Sequence, residues 1–425
     1  MLWRGFAFYH GALTRSWFAI IVIGKSLMKN IYLDNAATTL LDSQVGEAMQ
    51  PYTDRIFANP SSFHSPGVEA KRALDVARVE IAKILNAHSD ELIFTSGGTE
   101  ANNLALLGAV HANQGHGKHV ITSAIEHHSV LEPLKHLQKK GEIDLSLLPV
   151  DKSGLVSVND FKKALRPDTI LVSIMYANNE IGTIEPIADI GRIILKHRKE
   201  LKTVFPIFHT DACQAAGVLD QDVQKLHADL LVLNGSKIYG PKGVGLLFIR
   251  RGIKIEPLVF GGGQEKGLRS GTENMPGIVG LAKALEIAER KKEKENARLI
   301  ALRDRLIQGL LKIPKTRLNG HTEKRLPNNV NVTFLDIEGE AAVLYLDAKG
   351  IYASTGSACA SGSLDPSHVI LATGMPYEAA HGSLRFTLGR QTTASDVEQV
   401  LKVMPEIIAK LRHMSPLNLD MKYFS

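Results

Sequence analysis

The chain has 425 residues, 44% hydrophobic and 22% charged, which is in the globular range and long enough for a large folded unit with a smaller companion. The formal net charge of +6 is spread along the chain without a basic tail or an RNA-binding signature, so charge makes no case for nucleic acid. Two distant cysteines, Cys213 and Cys359, exclude a disulfide scaffold and a cysteine-rich metal site and suit a reducing, cytoplasmic setting.

Met1 to Leu27 reads as foreign to the rest of the chain. It carries Arg4, Arg15 and Lys25, no acidic residue, and an apolar run from Trp17 to Ile23 that is too short to span a bilayer. No small-x-small cleavage site comes after the run; a transit peptide and an upstream translated extension ahead of Met28 are both open readings. No other stretch is long and apolar enough to suggest a membrane span.

From Met28 onward, apolar strand-like segments alternate with helical ones. Strands are predicted at Glu91–Thr95, Val120–Ser123, Asp144–Val150, Ile170–Met175, Phe205–Thr210, Leu230–Leu233 and Gly245–Arg250. Helical spacing marks Val68–Leu85, Glu100–Ala112, Val130–Lys140 and Pro186–Lys199. Runs of Val, Ile and Leu predict strands covered on both faces, and the alternation predicts an α/β fold with a mostly parallel sheet. Ligands on such sheets gather at the carboxyl ends of the strands. A long helix is expected from Gly277 to Leu311, with the mixed-charge run Glu289–Glu295 as a solvated joint. An α+β unit comes next: strands at Asn329–Leu335, Ile351–Ala353 and Leu384–Leu388, helices at Glu340–Lys349 and Ser395–Leu411.

The loops after the predicted strands carry the chemistry. Thr95-Ser96-Gly97-Gly98-Thr99-Glu100 opens a helix, and it reads equally as an anion cradle or as a plain helix start with Thr99 as N-cap. It is neither a P-loop nor a dinucleotide fingerprint. Glu126-His127-His128 offers a histidine for stacking or proton transfer, or a structural one. Ala177-Asn178-Asn179-Glu180-Ile181-Gly182 supplies carboxamides suited to a phenolic oxygen or a carboxylate, though it is also an ordinary turn signal.

Asp211, in His209-Thr210-Asp211-Ala212-Cys213-Gln214, ends an apolar strand, where a carboxylate is costly unless partnered; a protonated ring nitrogen is such a partner. Lys237 comes after the next apolar run, in Asn234-Gly235-Ser236-Lys237-Ile238-Tyr239-Gly240-Pro241-Lys242-Gly243. A lysine in a dry neighbourhood there has a lowered pKa and a nucleophilic amine, as a Schiff-base lysine requires. One strand–helix–strand step separates Asp211 from Lys237, so adjacent strand ends bring them together. Lysine, aspartate and anion cradle match the parts that hold pyridoxal 5'-phosphate. The glycine-rich Gly261–Thr272 loop reads as reaching a second subunit. Cys359 sits in the small, polar loop Ser354–Ser363, a setting for a mobile nucleophilic thiol, whereas Cys213 reads as structural.

These motifs, together with Tyr32-Leu33-Asp34-Asn35-Ala36-Ala37-Thr38-Thr39, Arg269-Ser270-Gly271-Thr272 and Ser357-Ala358-Cys359, resemble the cysteine desulfurase family from about Ile31 to about Pro416. The resemblance implies a fold-type I pyridoxal-phosphate enzyme: a large domain (44–292) on a mostly parallel seven-stranded sheet, and a smaller α+β domain (28–43 with 293–425) carrying the cysteine loop. It implies that Lys237 holds the cofactor, Asp211 pairs with its ring nitrogen, Gln214 and Asn179 lie on its phenolic oxygen side, and His127 stacks on the ring. Gly98, Thr99 and Ser236 bind the phosphate, with Thr272 from the second subunit of a homodimer. Arg385 and Asn179 bind the carboxylate of L-cysteine, Lys237 moves its Cα proton, and Cys359 takes its sulfur as a persulfide, releasing L-alanine. A sulfur-acceptor or scaffold protein in iron–sulfur cluster assembly is the implied partner. No resident metal is expected, although Cys359 would transiently ligate a cluster iron, and neither nucleic acid nor membrane is expected as a partner. Selenocysteine lyase and aminotransferase activities use the same parts. Two features depart from the family. Many members carry a histidine before the lysine and a serine three before it, where this chain has Ser236 and Asn234. The chain also ends soon after Ser415-Pro416-Leu417, without the longer tail that housekeeping members use for scaffold docking, which leaves the pathway open.

Overall fold

The computed structural model describes residues 30–356 and 365–424. The expectations for Met1–Leu27 and for Cys359 fall outside the described residues. Twelve strands are present among them: β1 (Ile31–Tyr32), β2 (Leu92–Thr95), β3 (His119–Ser123), β4 (Asp144–Leu148), β5 (Thr169–Ser173), β6 (Ile207–Asp211), β7 (Leu230–Asn234), β8 (Gly245–Ile249), β9 (Thr316–Leu318), β10 (Asn329–Phe334), β11 (Ile351–Tyr352) and β12 (Ser383–Thr387).

The seven predicted strands of the first half form one sheet, ordered β2-β8-β7-β6-β5-β3-β4. Strands β3 to β7 pair in parallel, and β8 runs antiparallel to both its neighbours. Alternate residues of each central strand feed opposite faces. Phe94, Leu231 and Leu246 join one core with Ile81, Phe208 and Leu281; Ile93, Val232 and Leu247 join the other with Leu104, Val120 and Leu134. That two-sided burial is why the strands read as unbroken apolar runs rather than as alternation. The exception is β4, an edge strand with Asp144 and Leu147 exposed. Helices α1 (Ser65–Leu85), α2 (Gly98–Asn113), α3 (His128–Lys139) and α4 (Ile187–Leu201) cover the faces. No helix among the described residues is long and apolar enough to cross a membrane.

The long predicted helix is α5 (Met275–Leu310). Its first half buries Ile278, Leu281 and Leu285 in the core of the large sheet, and its second half buries Leu299, Leu306 and Leu310 in a separate core. That second core packs the antiparallel sheet β12-β10-β9 against α6 (Gly339–Asp347) and α7 (Ala394–Met414). Short β1, missed by periodicity because two residues carry no period, pairs in parallel with β11 and ties the start of the chain to this unit.

One register places the site. Gly245, the first residue of β8, pairs with Thr95 at the end of β2 and with Asn234 at the end of β7. The ends of these two strands are therefore held to one edge of the sheet. A side chain at Gly245 has no room: a Cβ would meet the backbone of Gly97 at 2.6 Å. Gly245→Ala is expected to push the Thr95–Gly98 loop outward and destabilise the fold by about 1–3 kcal/mol, as overpacking against backbone does. Urea unfolding would measure the loss; wild-type stability would refute the close packing.

Candidate active site

The first segment at that edge is the start of α2. Helix α2 begins at Gly98 with Gly97 as N-cap, and no side chain caps it. Thr99, expected as N-cap, lies inside the first turn instead, because the helix starts two residues early, at Gly98, with Gly97 extended before it. The uncapped N–H groups leave the anion-binding end of the helix open. A glycine is required at 98 by close approach from β6 and β7: a Cβ there would meet Cys213 Sγ at 2.9 Å and Asn234 Cβ at 3.5 Å.

Asp211 closes β6 and is buried. Its Oδ1 accepts from Cys213 N at 2.9 Å and its Oδ2 from Asn102 Nδ2 at 2.7 Å. Asn102, on α2, also donates to Ser129 Oγ at 2.9 Å, and Ser129 Oγ lies 2.7 Å from His127 Nδ1. His127 is the N-cap of α3, with Nδ1 accepting from Ser129 N at 3.1 Å. Because that backbone N–H can only donate, the ring proton sits on Nε2. Burial holds His127 below the ordinary histidine pKa. The histidine therefore serves the fold as a cap and still presents its ring to the cavity.

The third wall is built from distant parts of the chain. Asn178 spends its side chain on the turn, accepting from Glu180 N and Ile181 N and donating to Ile125 O, which leaves Asn179 facing inward. Arg385, on β12 and 2% exposed, donates to Asp34 Oδ1 at 2.7 Å, Gly356 O at 2.6 Å and Asn179 O at 3.1 Å. Its Nε is buried without a hydrogen-bond partner among the described residues. Lys237 is half-buried, and its Nζ donates to Ala36 O at 2.8 Å and to Ala37 O. Gln214 Nε2 donates to the same Ala36 O at 3.0 Å.

A cavity of about 230 Å³ joins these groups: Gly98, Thr99, His127, Asn179, Asp211, Gln214, Lys237 and Arg385 all line it. Ser236 and Thr272 do not. Ser236 Oγ donates to Asn234 Oδ1 at 3.2 Å. Thr272 is exposed, on a loop anchored upstream by buried Glu265, which accepts from Arg78 and from Phe94 N. Cys213 lines the cavity with its thiol pushed well up by burial, so it stays protonated. Sequence alone assigns no role to Asp34, Asn102, Asn234 or His368. Asp34 lies inside one of the family motifs and Asn234 is one of the two departures noted beside Lys237; Asn102 and His368 carry no local signal.

Residues 31–400 match the family model described as Aminotransferase class-V. Cysteine desulfurase IscS of Methanosarcina thermophila is 55% identical over 389 residues, covering 92% of this chain and 94% of that one. The chain belongs to the class-V aminotransferases, in their cysteine desulfurase family. Among solved structures, one described as a NifS-like protein superposes on this chain with a TM-score of 0.84 at 38% identity, covering 90% of this chain and all of its own. Another, described as SspA in complex with cysteine, gives a TM-score of 0.73 at 36% identity, covering 84% of this chain and 98% of its own.

Next to His127 in the chain is Glu126, fully buried, with Oε1 accepting from Ser123 Oγ and Met175 N and Oε2 without a partner among the described residues. Burial raises its pKa from 4.5 to about 8; the Ser123 and Met175 bonds oppose the shift, and the charges of Asp211 and Glu185 add to it. The folded state thus binds an extra proton between those values, and this contribution to stability is lost as pH rises through the window. Buried Glu185, also raised to about 8, acts in the same direction. Glu126→Gln keeps the acceptor and removes the titration. It is expected to raise Tm more at about pH 8.5 than at about pH 5 in thermal melts; an equal change at both values would contradict a protonated Glu126.

Proposed function

We propose that this chain takes sulfur from L-cysteine, releasing L-alanine and leaving a persulfide on Cys359. The observation that carries the reading is the convergence of Lys237, Asp211, His127 and Arg385 on one cavity, in a cysteine desulfurase family chain.

The residues fit pyridoxal 5'-phosphate. The uncapped start of α2 suits its phosphate, and the Asp211 carboxylate, held by two donors, retains lone pairs for a ring N–H. The cofactor supplies an electron sink for the substrate Cα. Lys237 would hold it, Asp211 would keep a proton on its ring nitrogen, and His127 would pack on its ring. Asn179 and Gln214 would serve its phenolic oxygen. Gly98, Thr99 and the turn carrying Ser236 would receive its phosphate, with Thr272 from a second copy. For the substrate, Arg385 and Asn179 hold the carboxylate, and the buried unpartnered Nε of Arg385 is a donor in reserve for it. The Lys237 amine takes the Cα proton. The Cys359 thiolate attacks the substrate sulfur; an S–S bond forms as the Cβ–S bond breaks, the bonding pair passes to Cβ, which takes up a proton, and with the proton returned from Lys237 to Cα the carbon skeleton leaves as alanine. The cysteine named in the description of the SspA structure supports this substrate.

A homodimer completes the reading. Thr272 lies outside this chain's own cavity, and Phe57, Phe63 and Phe260 are exposed, consistent with a surface that another copy covers. A sulfur-acceptor or scaffold protein for iron–sulfur assembly, a cytoplasmic setting, and a division into 44–292 and 28–43 with 293–425 belong to the same proposal.

Incubation of the purified protein with L-cysteine is expected to yield alanine and persulfide sulfur in equal amounts. Cys359→Ser should lower both by about 100-fold or more while the bound chromophore persists. Unaltered turnover in Cys359→Ser would remove the role of that thiol, and a protein that stays colourless with added pyridoxal 5'-phosphate would overturn the scheme.

A further inference from the structure

We propose that Asn234, aimed by Ser236, is a side-chain donor of the phosphate seat. This rests on the proposed cofactor and concerns the two positions at which the chain departs from its family. Asn234 ends β7, and its register with Gly245 sets it beside the loop after β2. It lines the cavity, whereas Ser236 does not. Its Oδ1 accepts from Ser236 N at 3.2 Å and from Ser236 Oγ at 3.2 Å. A backbone N–H can only donate, so the atom facing it must be the carboxamide oxygen, and Nδ2 is turned the other way. A Cβ built on Gly98 would lie 3.5 Å from that Nδ2, so the amide rests against the first residue of α2. None of the hydrogen bonds of Asn234 among the described residues uses Nδ2. The exposed N–H groups of the helix start and this amide therefore converge from two sides. Ser236, whose hydroxyl is committed to Oδ1, works through Asn234 as a positioning residue. The short serine of the family at this position is replaced by a longer donor, and the histidine before the lysine by a hydroxyl that steers it.

The test uses full-length enzyme stripped of cofactor and titrated separately with pyridoxal 5'-phosphate and with pyridoxal, following the bound chromophore. Asn234→Asp keeps the oxygen that Ser236 needs, and so the turn, but replaces the donor with an anion. It is expected to weaken pyridoxal 5'-phosphate by about 10- to 100-fold, the range for one hydrogen bond to a charged group, and pyridoxal by less than about threefold. Ser236→Ala should cost about threefold alone and nothing further in an Asn234→Ala background. Equal losses for the two ligands, an unchanged phosphate preference in Asn234→Asp, or Ser236→Ala losses that persist in the double variant would each overturn the assignment. Wild-type protein that binds neither ligand would instead sink the cofactor reading itself.

Discussion

The site depends on a register. β8 is the antiparallel strand in an otherwise parallel sheet, and its first residue, Gly245, pairs with the last residues of both β2 and β7. The uncapped helix start and the lysine turn are thus held side by side by backbone hydrogen bonds before any side chain contributes. A glycine is needed because Gly97 passes directly over it. Asp211 is set by the next pairing, opposite Val232 in β7. The spacing of anion cradle, lysine and aspartate is in this way set first by strand pairing.

The second layer is polar and buried. Asp211, Asn102, Ser129 and His127 form a continuous set of hydrogen bonds from β6 through α2 to the start of α3. In a low-dielectric interior a charged or polar group left unpaired is expensive, and a satisfied network is correspondingly rigid. The network presents a carboxylate and a neutral imidazole to one cavity in fixed orientations. Burial of His127 and of Glu126 acts on both in one sense, toward the uncharged form.

The third layer joins the two cores. Asp34, Ala36 and Ala37 come from the start of the described chain, Arg385 from the antiparallel sheet near its end, and Lys237 and Gln214 from the large sheet. An arginine with a carboxylate and two carbonyls around it, and one nitrogen still unpaired among the described residues, is oriented without being exhausted. A carboxylate ligand can be received there without the guanidinium having to be ordered first.

What was legible in the sequence was whatever local periodicity and strand-end chemistry encode. Unbroken Val, Ile and Leu runs specify strands buried on both faces, helical spacing specifies the layers, and a lysine and an aspartate at the ends of such strands mark the edge that carries the cavity. Side-chain direction was not legible. That Gly97 and not Thr99 caps α2, and that Ser236 turns to Asn234, are consequences of turn geometry one residue wide. Neither was the pairing of Asp34 with Arg385, residues 351 apart in the chain, since loop closure over that distance leaves no trace in any window of sequence. Composition and period determined the fold and the edge on which the chemistry sits. Register and long-range packing decided which atoms meet there, because hydrogen-bond partners are chosen by the folded surface and not by neighbours along the chain.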